Sequence, residues 1–260
     1  MSAHSRSLRR WITLLGGSLC LLVLVMATII WRDGKNWNQT QSTRIEADSL
    51  VIQRAGFDNM QLSKIQGQWE FELPCKLSVN EPRLLPLLNA LTPGAFQYTS
   101  SEVDLEAAGL LSPEAIITIN DVEHRIGITD LGGERRYLQR GDSVELVPEW
   151  VLSLVNGGMS ALAQLEIFTE PMSSLTVIND TAKDREITLP DELAVWQNLS
   201  AQQITSWPLP DMELTLDYQL QAVFANGQAR AYSVYQNNSL AAIVPKEALC
   251  AYILSADALP

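Results

Sequence analysis

Histidine is almost missing from this chain. Two occur in 260 residues, His4 and His124. A histidine-based triad or a multi-histidine metal site therefore has almost nothing to draw on. Cysteine is scarce as well. Cys20, Cys75 and Cys250 are too few for a disulfide scaffold. Cations are outnumbered, with 18 Lys and Arg against 30 Asp and Glu and a formal net charge of −12. Nucleic-acid binding needs clustered Lys and Arg, so that class of partner is excluded. Only 12 Pro and 14 Gly beside 47% hydrophobic residues exclude a collagen-like or disordered chain. The motifs HExxH, CxxC, GxxxxGK[ST] and GxGxxG are all absent. Nucleotide hydrolysis and dinucleotide redox chemistry are disfavoured, and no cofactor is expected.

The strongest positive signal lies near the start. Residues 11–31 read WITLLGGSLCLLVLVMATIIW, an uncharged run bracketed by Trp11 and Trp31. As a helix it reaches roughly 31 Å, the thickness of a bilayer's hydrocarbon core. Tryptophans favour the membrane interface, where these two would sit. The run is longer than the apolar core of a cleaved signal peptide and has no small-residue cleavage site after it. Leu19 before Cys20 argues against a lipidation site, and the lack of a polar face argues against a buried core helix. Arg6, Arg9 and Arg10 precede the run, while Arg32 and Lys35 follow it. The lysine and arginine bias, together with the acidic bulk beyond, places residues 1–10 in the cytoplasm. The remainder is expected outside a plasma (inner) membrane as a single-pass protein, in the periplasm or extracellular space. Cys75 and Cys250 would then meet an oxidising compartment, where they can pair. The alternative is two separate small apolar core residues.

Residues 32–44 are polar and aperiodic, as expected of a linker. The folded part reads as α+β, with antiparallel sheets and short packing helices. Strands are expected at 50–54, 61–65, 68–73, 115–119, 122–128, 135–139 and 143–147, with tight turns at Gly67 and Asn120-Asp121. The spacing predicts a helix over 80–91 with Leu84, Leu87, Leu88 and Leu91 on one face and a kink at Pro86. Other helices are predicted at 102–108, closed by Gly109, and from Pro148, with Trp150, Val151, Leu154 and Val155 inward and Gly157 at the end.

In the C-terminal half, strands are expected at 175–178, 212–224 (a pair or one bent strand), 228–235 and 239–244. A helix is predicted from Leu189-Pro190, with Leu193, Trp196 and Leu199 inward. Asn226-Gly227 signals a hairpin. A last helix is predicted from Pro245, carrying Leu249, Tyr252 and Ile253. Val147-Pro148 and Val244-Pro245 fill matching slots, which suggests two similar units, 45–157 and 170–256.

The segments LEAAGLLSPEAIITIN (105–120), HRIGITD (124–130), GGERRYL (132–138) and DSVELV (142–147), after Gly67-Gln68-Trp69 and the leucine-rich helix, carry a likeness. Over about residues 45–157 the chain resembles bacterial domain-of-unknown-function family 4340, an exported domain behind an N-terminal membrane helix. Gly109, Pro113, Gly127, Arg136 and Tyr137 are its motif positions. The resemblance implies an accessory part of an ABC-type export system. On the residues alone, Gly127 marks a bulge or a close backbone approach, and Arg136 and Tyr137 point to opposite sheet faces.

His124, between Glu123 and Arg125, reads as a surface histidine beside charges. Arg135, Arg136 and Arg140 form the one local cationic group of the exported part, a candidate contact for an acidic partner, an anionic headgroup or a peptidoglycan carboxylate. The competing reading is salt-bridging to Glu134 and Asp142. The carboxylate pairs Glu102/Asp104 and Asp211/Glu213 read as solvated faces. The favoured function is a membrane-anchored, non-enzymatic interaction module with a membrane or envelope protein partner. A ligand-binding or sensing domain is the alternative. It needs a pocket between the two units lined by Trp69, Trp150, Trp196 or Trp207. A carboxylate-dependent hydrolase ranks third.

Overall fold

The structure, a computed structural model, describes residues 46–94, 97–179, 184–209 and 212–260. The head at 1–10, the apolar run with Trp11 and Trp31, and the linker at 32–44 lie outside the described residues. Among the described residues no helix is long and apolar enough to cross a membrane.

Two antiparallel sheets carry the fold. The first contains β1 (Ser49–Arg54), β2 (Met60–Ile65), β3 (Gln68–Leu73), β4 (Leu77–Ser78), β5 (Tyr98–Thr99), β6 (Ala115–Ile119), β7 (Val122–Thr129), β8 (Arg135–Arg140) and β9 (Ser143–Pro148). Its order is β4-β3-β2-β1-β6-β7-β8-β9-β5. The second contains β10 (Met172–Ile178), β11 (Arg185–Ile187), β12 (Gln203–Ser206), β13 (Thr215–Phe224), β14 (Ala229–Gln236), β15 (Leu240–Pro245) and β16 (Cys250–Ser255), ordered β11-β10-β13-β14-β15-β16-β12. Period-2 alternation makes these strands. In β3, Trp69 and Phe71 turn inward while Gln68, Glu70 and Glu72 face outward or sit half-buried. Asn120 and Asp121 both have positive φ, which matches the β6–β7 hairpin to the strand twist. The Asn120 side chain also accepts from the Asp48 and Ser49 N–H groups and donates to the Glu46 carbonyl, fixing the chain's entry into β1.

Without β3 and β4, the two sheets have the same strand order. The pair β1 and β2 corresponds to β10 and β11, β6 through β9 to β13 through β16, and the edge strand β5 to β12. A helix precedes each edge strand: α1 (Glu81–Ala90) before β5, and α4 (Pro190–Gln197) before β12. The proline slots correspond differently from the sequence expectation. Pro148 ends β9, whereas Pro245 ends β15, the counterpart of β8. The matched dipeptides are one strand out of step.

Helix α1 runs through Pro86 and buries Leu84, Leu87 and Leu88. Asn80 stands at its N-cap without a side-chain capping bond. Three other helix expectations need correction. The segment from Pro245 continues as β16, not as a helix. Five successive residues, Cys250 to Leu254, are buried, and β15 and β12 flank the strand. A short continuous apolar run of that kind is ambiguous in periodicity. Pro148 closes β9, and the next helix, α2 (Trp150–Asn156), starts two residues later and is followed by α3 (Gly158–Leu162). Its inward residues are Val151, Leu152 and Val155, while Trp150 is 42% exposed. Glu149 is tied to Arg136 and Thr129, which sets the start of α2 with Trp150 outward.

The expected helix at 102–108 is a short 3₁₀ turn (Ser100–Glu102) followed by a single turn. Asp104 caps that turn by accepting from the Glu106 and Ala107 N–H groups. It closes as a Schellman motif, with Leu110 N–H to Leu105 O at 2.8 Å, Gly109 N–H to Glu106 O at 3.0 Å, and Gly109 at φ +69°. Pro113 lies between this turn and β6.

That turn presses on β7. Ile128 N–H donates to Ala108 O at 3.0 Å, and the register of β7 against β8 shifts between Ile126 and Thr129. A Cβ on Gly127 would lie 2.1 Å from Ala108 O, so glycine here answers a close backbone approach. We expect Gly127→Ala to lower stability by about 1–3 kcal/mol, read as a lower urea midpoint with unchanged slope.

The described residues of 44–92 and 96–260 form one unit, and a single buried cluster reaches from Leu50 in β1 to Leu254 in β16. It includes Trp69, Leu87, Val151, Phe168, Trp196 and Val234.

Candidate functional site

The arginine group of β8 is the first candidate. In an extended strand, Arg136, Leu138 and Arg140 share one face. Leu138 is fully buried, so that face is the core face, and Arg136 is itself only 8% exposed. Its Nε donates to Glu149 Oε1 at 2.8 Å, and its Nη1 reaches Gly127 O at 2.7 Å and Glu114 Oε2 at 3.0 Å. Arg140 Nη2 donates to Glu145 Oε1 at 2.8 Å and to Leu91 O at 2.5 Å, and its Nε donates to His124 Nε2 at 2.9 Å. The partner-contact expectation is thus corrected for Arg136 and Arg140, whose guanidinium groups are spent inside the fold. Their ion-pair partners are Glu114, Glu145 and Glu149 rather than Glu134 and Asp142. Arg135 alone of the three is exposed. The parity with Leu138 was the available signal. Tyr137 takes the opposite face, against Ala108, Leu110 and Val144.

His124 is buried, which overturns the surface reading. Its Nδ1 lies 2.9 Å from Val122 O and 3.2 Å from Ile117 O. Two carbonyls at Nδ1 and an arginine N–H at Nε2 fix the neutral tautomer with its proton on Nδ1. Burial, and then the positive Arg140, push its pKa down. An imidazole held neutral with both nitrogens engaged is structural.

Among the described residues, the carboxylates of these pairs are engaged locally or exposed. Glu102 accepts from the N–H and hydroxyl of Thr99, and those bonds hold its carboxyl below the usual range. Asp104 is the turn cap described above. Asp211 lies outside the described residues, and Glu213 is exposed. The tryptophans do not converge. Trp69 and Trp196 are core residues, Trp150 faces outward, and Trp207 stacks on Tyr235 at 4.6 Å. Among the described residues, no group of three or more His, Cys, Asp or Glu is arranged to hold a metal.

The two cysteines do come together. Cys75 follows β3, Cys250 opens β16, and a disulfide joins them with Cα atoms 5.9 Å apart. Both are buried, and the Met159 sulfur lies 3.8 and 3.9 Å from their sulfurs.

Next to this link, residues of both sheets line a cleft of about 260 Å³ that sequence reasoning missed. Lys76 and Ser78 come from the β4 side, Arg230, Tyr232 and Tyr252 from the second sheet, and Glu247 from the connection between β15 and β16. Tyr232 sits edge-on to Phe168 at 5.2 Å. Arg230 is paired with Glu170 at 2.6 Å and lies over the Phe224 ring. Lys76 has no ion-pair partner among the described residues.

Burial, with Tyr232 nearby, pushes the Tyr252 phenol up to about 12, and burial raises Tyr232 too. Phenols held so far above neutrality donate hydrogen bonds and cannot act as bases near pH 7. Tyr218, on β13, is also pushed up to about 12 by burial and then by Asp217. Since unfolded tyrosines ionise near pH 10, the unfolded state loses these protons first. Stability is then full below about pH 10 and falls between about 10 and 12, each group contributing up to about 1.4 kcal/mol per pH unit. Thermal unfolding across that window, against Tyr218→Phe and Tyr252→Phe, should show a shallower alkaline decline in each variant.

Comparison with protein-family models, curated proteins and solved structures gives no match.

Proposed function

We propose that this chain is a membrane-anchored, extracytoplasmic interaction module, an accessory component of an envelope ABC-type transport or assembly complex. The observation that carries the reading is the buried Cys75–Cys250 link. Structural disulfides belong to oxidising compartments, which supports placing the folded part outside the cytoplasm. The uncharged run from Trp11 to Trp31 supplies the tether, and the resemblance over 45–157 supplies the class of partner. The shared strand order supports reading 45–157 and 170–256 as two copies of one unit. No enzymatic step is assigned.

Crosslinking in native membranes followed by identification of captured proteins tests the partner. An ABC permease or envelope protein is expected, and exclusively cytoplasmic partners would defeat the reading. A C-terminal reporter active only in the cytoplasm should stay silent. The chain should also stay in the membrane pellet after a carbonate wash.

A second reading, a ligand-binding or sensing domain, draws on the cleft with Lys76, Tyr232 and Tyr252. Thermal shifts with a panel of glycans and peptides would favour it, and loss of those shifts in Tyr252→Phe would locate the ligand.

A further inference from the structure

Arg54 ends β1 and is placed unlike Arg136 and Arg140. Its Nη1 donates to the Asn156 carbonyl at 2.9 Å, at the end of α2. The Phe57 ring lies over the guanidinium, 4.2 Å from its carbon to the ring centroid. No carboxylate pairs with Arg54 among the described residues. Its Nε is buried with no hydrogen-bond partner, the one such side-chain nitrogen or oxygen found among the described residues. A buried donor left unsatisfied costs about 1–3 kcal/mol, more when charged, so it calls for an explanation.

The arrangement defines which part of the guanidinium is left without a partner. With Nη1 engaged, Nε–H and one Nη2–H run parallel along a single edge, the fork that takes a carboxylate side-on. Gly158, at φ +62°, leaves room there, since a Cβ at that position would come 3.3 Å from Arg54 Nη2. Arg54 lines a cavity of about 190 Å³, walled also by Asp58, Ser160, Gln203 and Ser206 among others. Arg54 is its one cation. The two serine hydroxyls are committed, Ser160 to the backbone of Ile204 and Ser206 to Asp58.

We propose that Arg54 and this cavity form a binding site for a carboxylate group, held side-on by Nε and Nη2. One cation can neutralise a singly charged guest, whereas a phosphate dianion would leave excess negative charge in a cavity that also holds Asp58. The volume falls below the roughly 300 Å³ at which small-molecule pockets usually begin, which fits a terminal group or a small acid. Nε is closed to solvent in this conformation, so entry involves a side-chain rearrangement.

The test uses the full chain in a nonionic detergent. N-acetyl-dialanine, its C-terminal amide and propionate are each titrated by calorimetry and by thermal shift. The acetylated dipeptide should bind and its amide should not. Arg54→Gln should weaken binding about tenfold or more, Arg54→Lys should also weaken it because an ammonium has no fork, and Lys64→Gln, at an exposed cation that does not line the cavity, should leave it unchanged. Stronger binding of the dipeptide than of propionate identifies a peptide C-terminus as the guest, and equal binding identifies a small free acid. If Arg54→Gln fails to fold, the Arg54 Nε–H signal in nitrogen-15 NMR decides. It should shift when the acid is added and stay when the amide is added. Equal binding of acid and amide, undiminished binding by a folded Arg54→Gln, no binding at millimolar acid, or an unmoved Nε–H signal would each overturn the site.

Discussion

Replacing Cys75 and Cys250 together by alanine should lower the unfolding free energy by about 2–5 kcal/mol. The link spans 175 residues of sequence, so its loss releases a long loop in the unfolded chain. It also ties the loop after β3 to the first residue of β16, and so closes the two sheets onto one core. Both cysteines are buried, so a mild reductant should leave the native protein linked and should act only once unfolding begins. The check is a denaturant titration of the wild type, the double variant and the reduced wild type. The last two should coincide, because both remove the same covalent constraint. A midpoint for the double variant within error of the wild type would mean that packing around Met159 holds the halves together unaided.

Much of the first sheet was legible because its strands are half-buried. Gln68–Leu73 and Ala115–Ile119 alternate or carry β-branched residues, turn residues bound them, and they form at the expected limits. Gly127 was legible for a related reason, since an isolated glycine in a strand reports an approaching backbone, here the Ala108 carbonyl. The second sheet was less legible where its strands are buried on both faces. From Cys250 to Leu254 no polar residue marks the period, and Leu249, Tyr252 and Ile253 imitate a helix face. The short edge strands β5 and β12 were not foreseen, because pairing rather than pattern defines them.

The β8 arginines were misplaced for a third reason. Charge in a sequence suggests a surface, and only the parity of Arg136 and Arg140 with Leu138 tells that the strand turns them inward. The cleft at Lys76 draws on residues from 76 to 252, and nothing local in the chain announces such a meeting.

The Arg140 network is where a single substitution should do the most harm. The side chains of Arg140 and Glu145 are 16% and 6% exposed, and their 2.8 Å contact lies beside the buried ring of His124. Arg140→Met removes the guanidinium that faces a buried carboxylate, which should cost about 3–5 kcal/mol. Arg140→Met with Glu145→Leu should recover part of that loss, since the penalty arises mainly from the carboxylate left behind.

The histidine gives this prediction a second, independent readout. In the wild type its pKa lies below the ordinary value near 6.5, so above that pH both states are neutral and stability is full. As the pH falls below about 6.5 the unfolded chain gains a proton that the folded one refuses. Stability then declines by up to about 1.4 kcal/mol per pH unit until the folded pKa is reached. Arg140→Met removes the positive neighbour while leaving the burial, so the His124 pKa should rise and the acid decline should become shallower. Titration of the His124 ring by NMR follows the first effect, and denaturant midpoints on either side of pH 6.5 follow the second. An unchanged His124 titration in Arg140→Met would place the cause of its depressed pKa in burial alone and remove the electrostatic link between the two side chains.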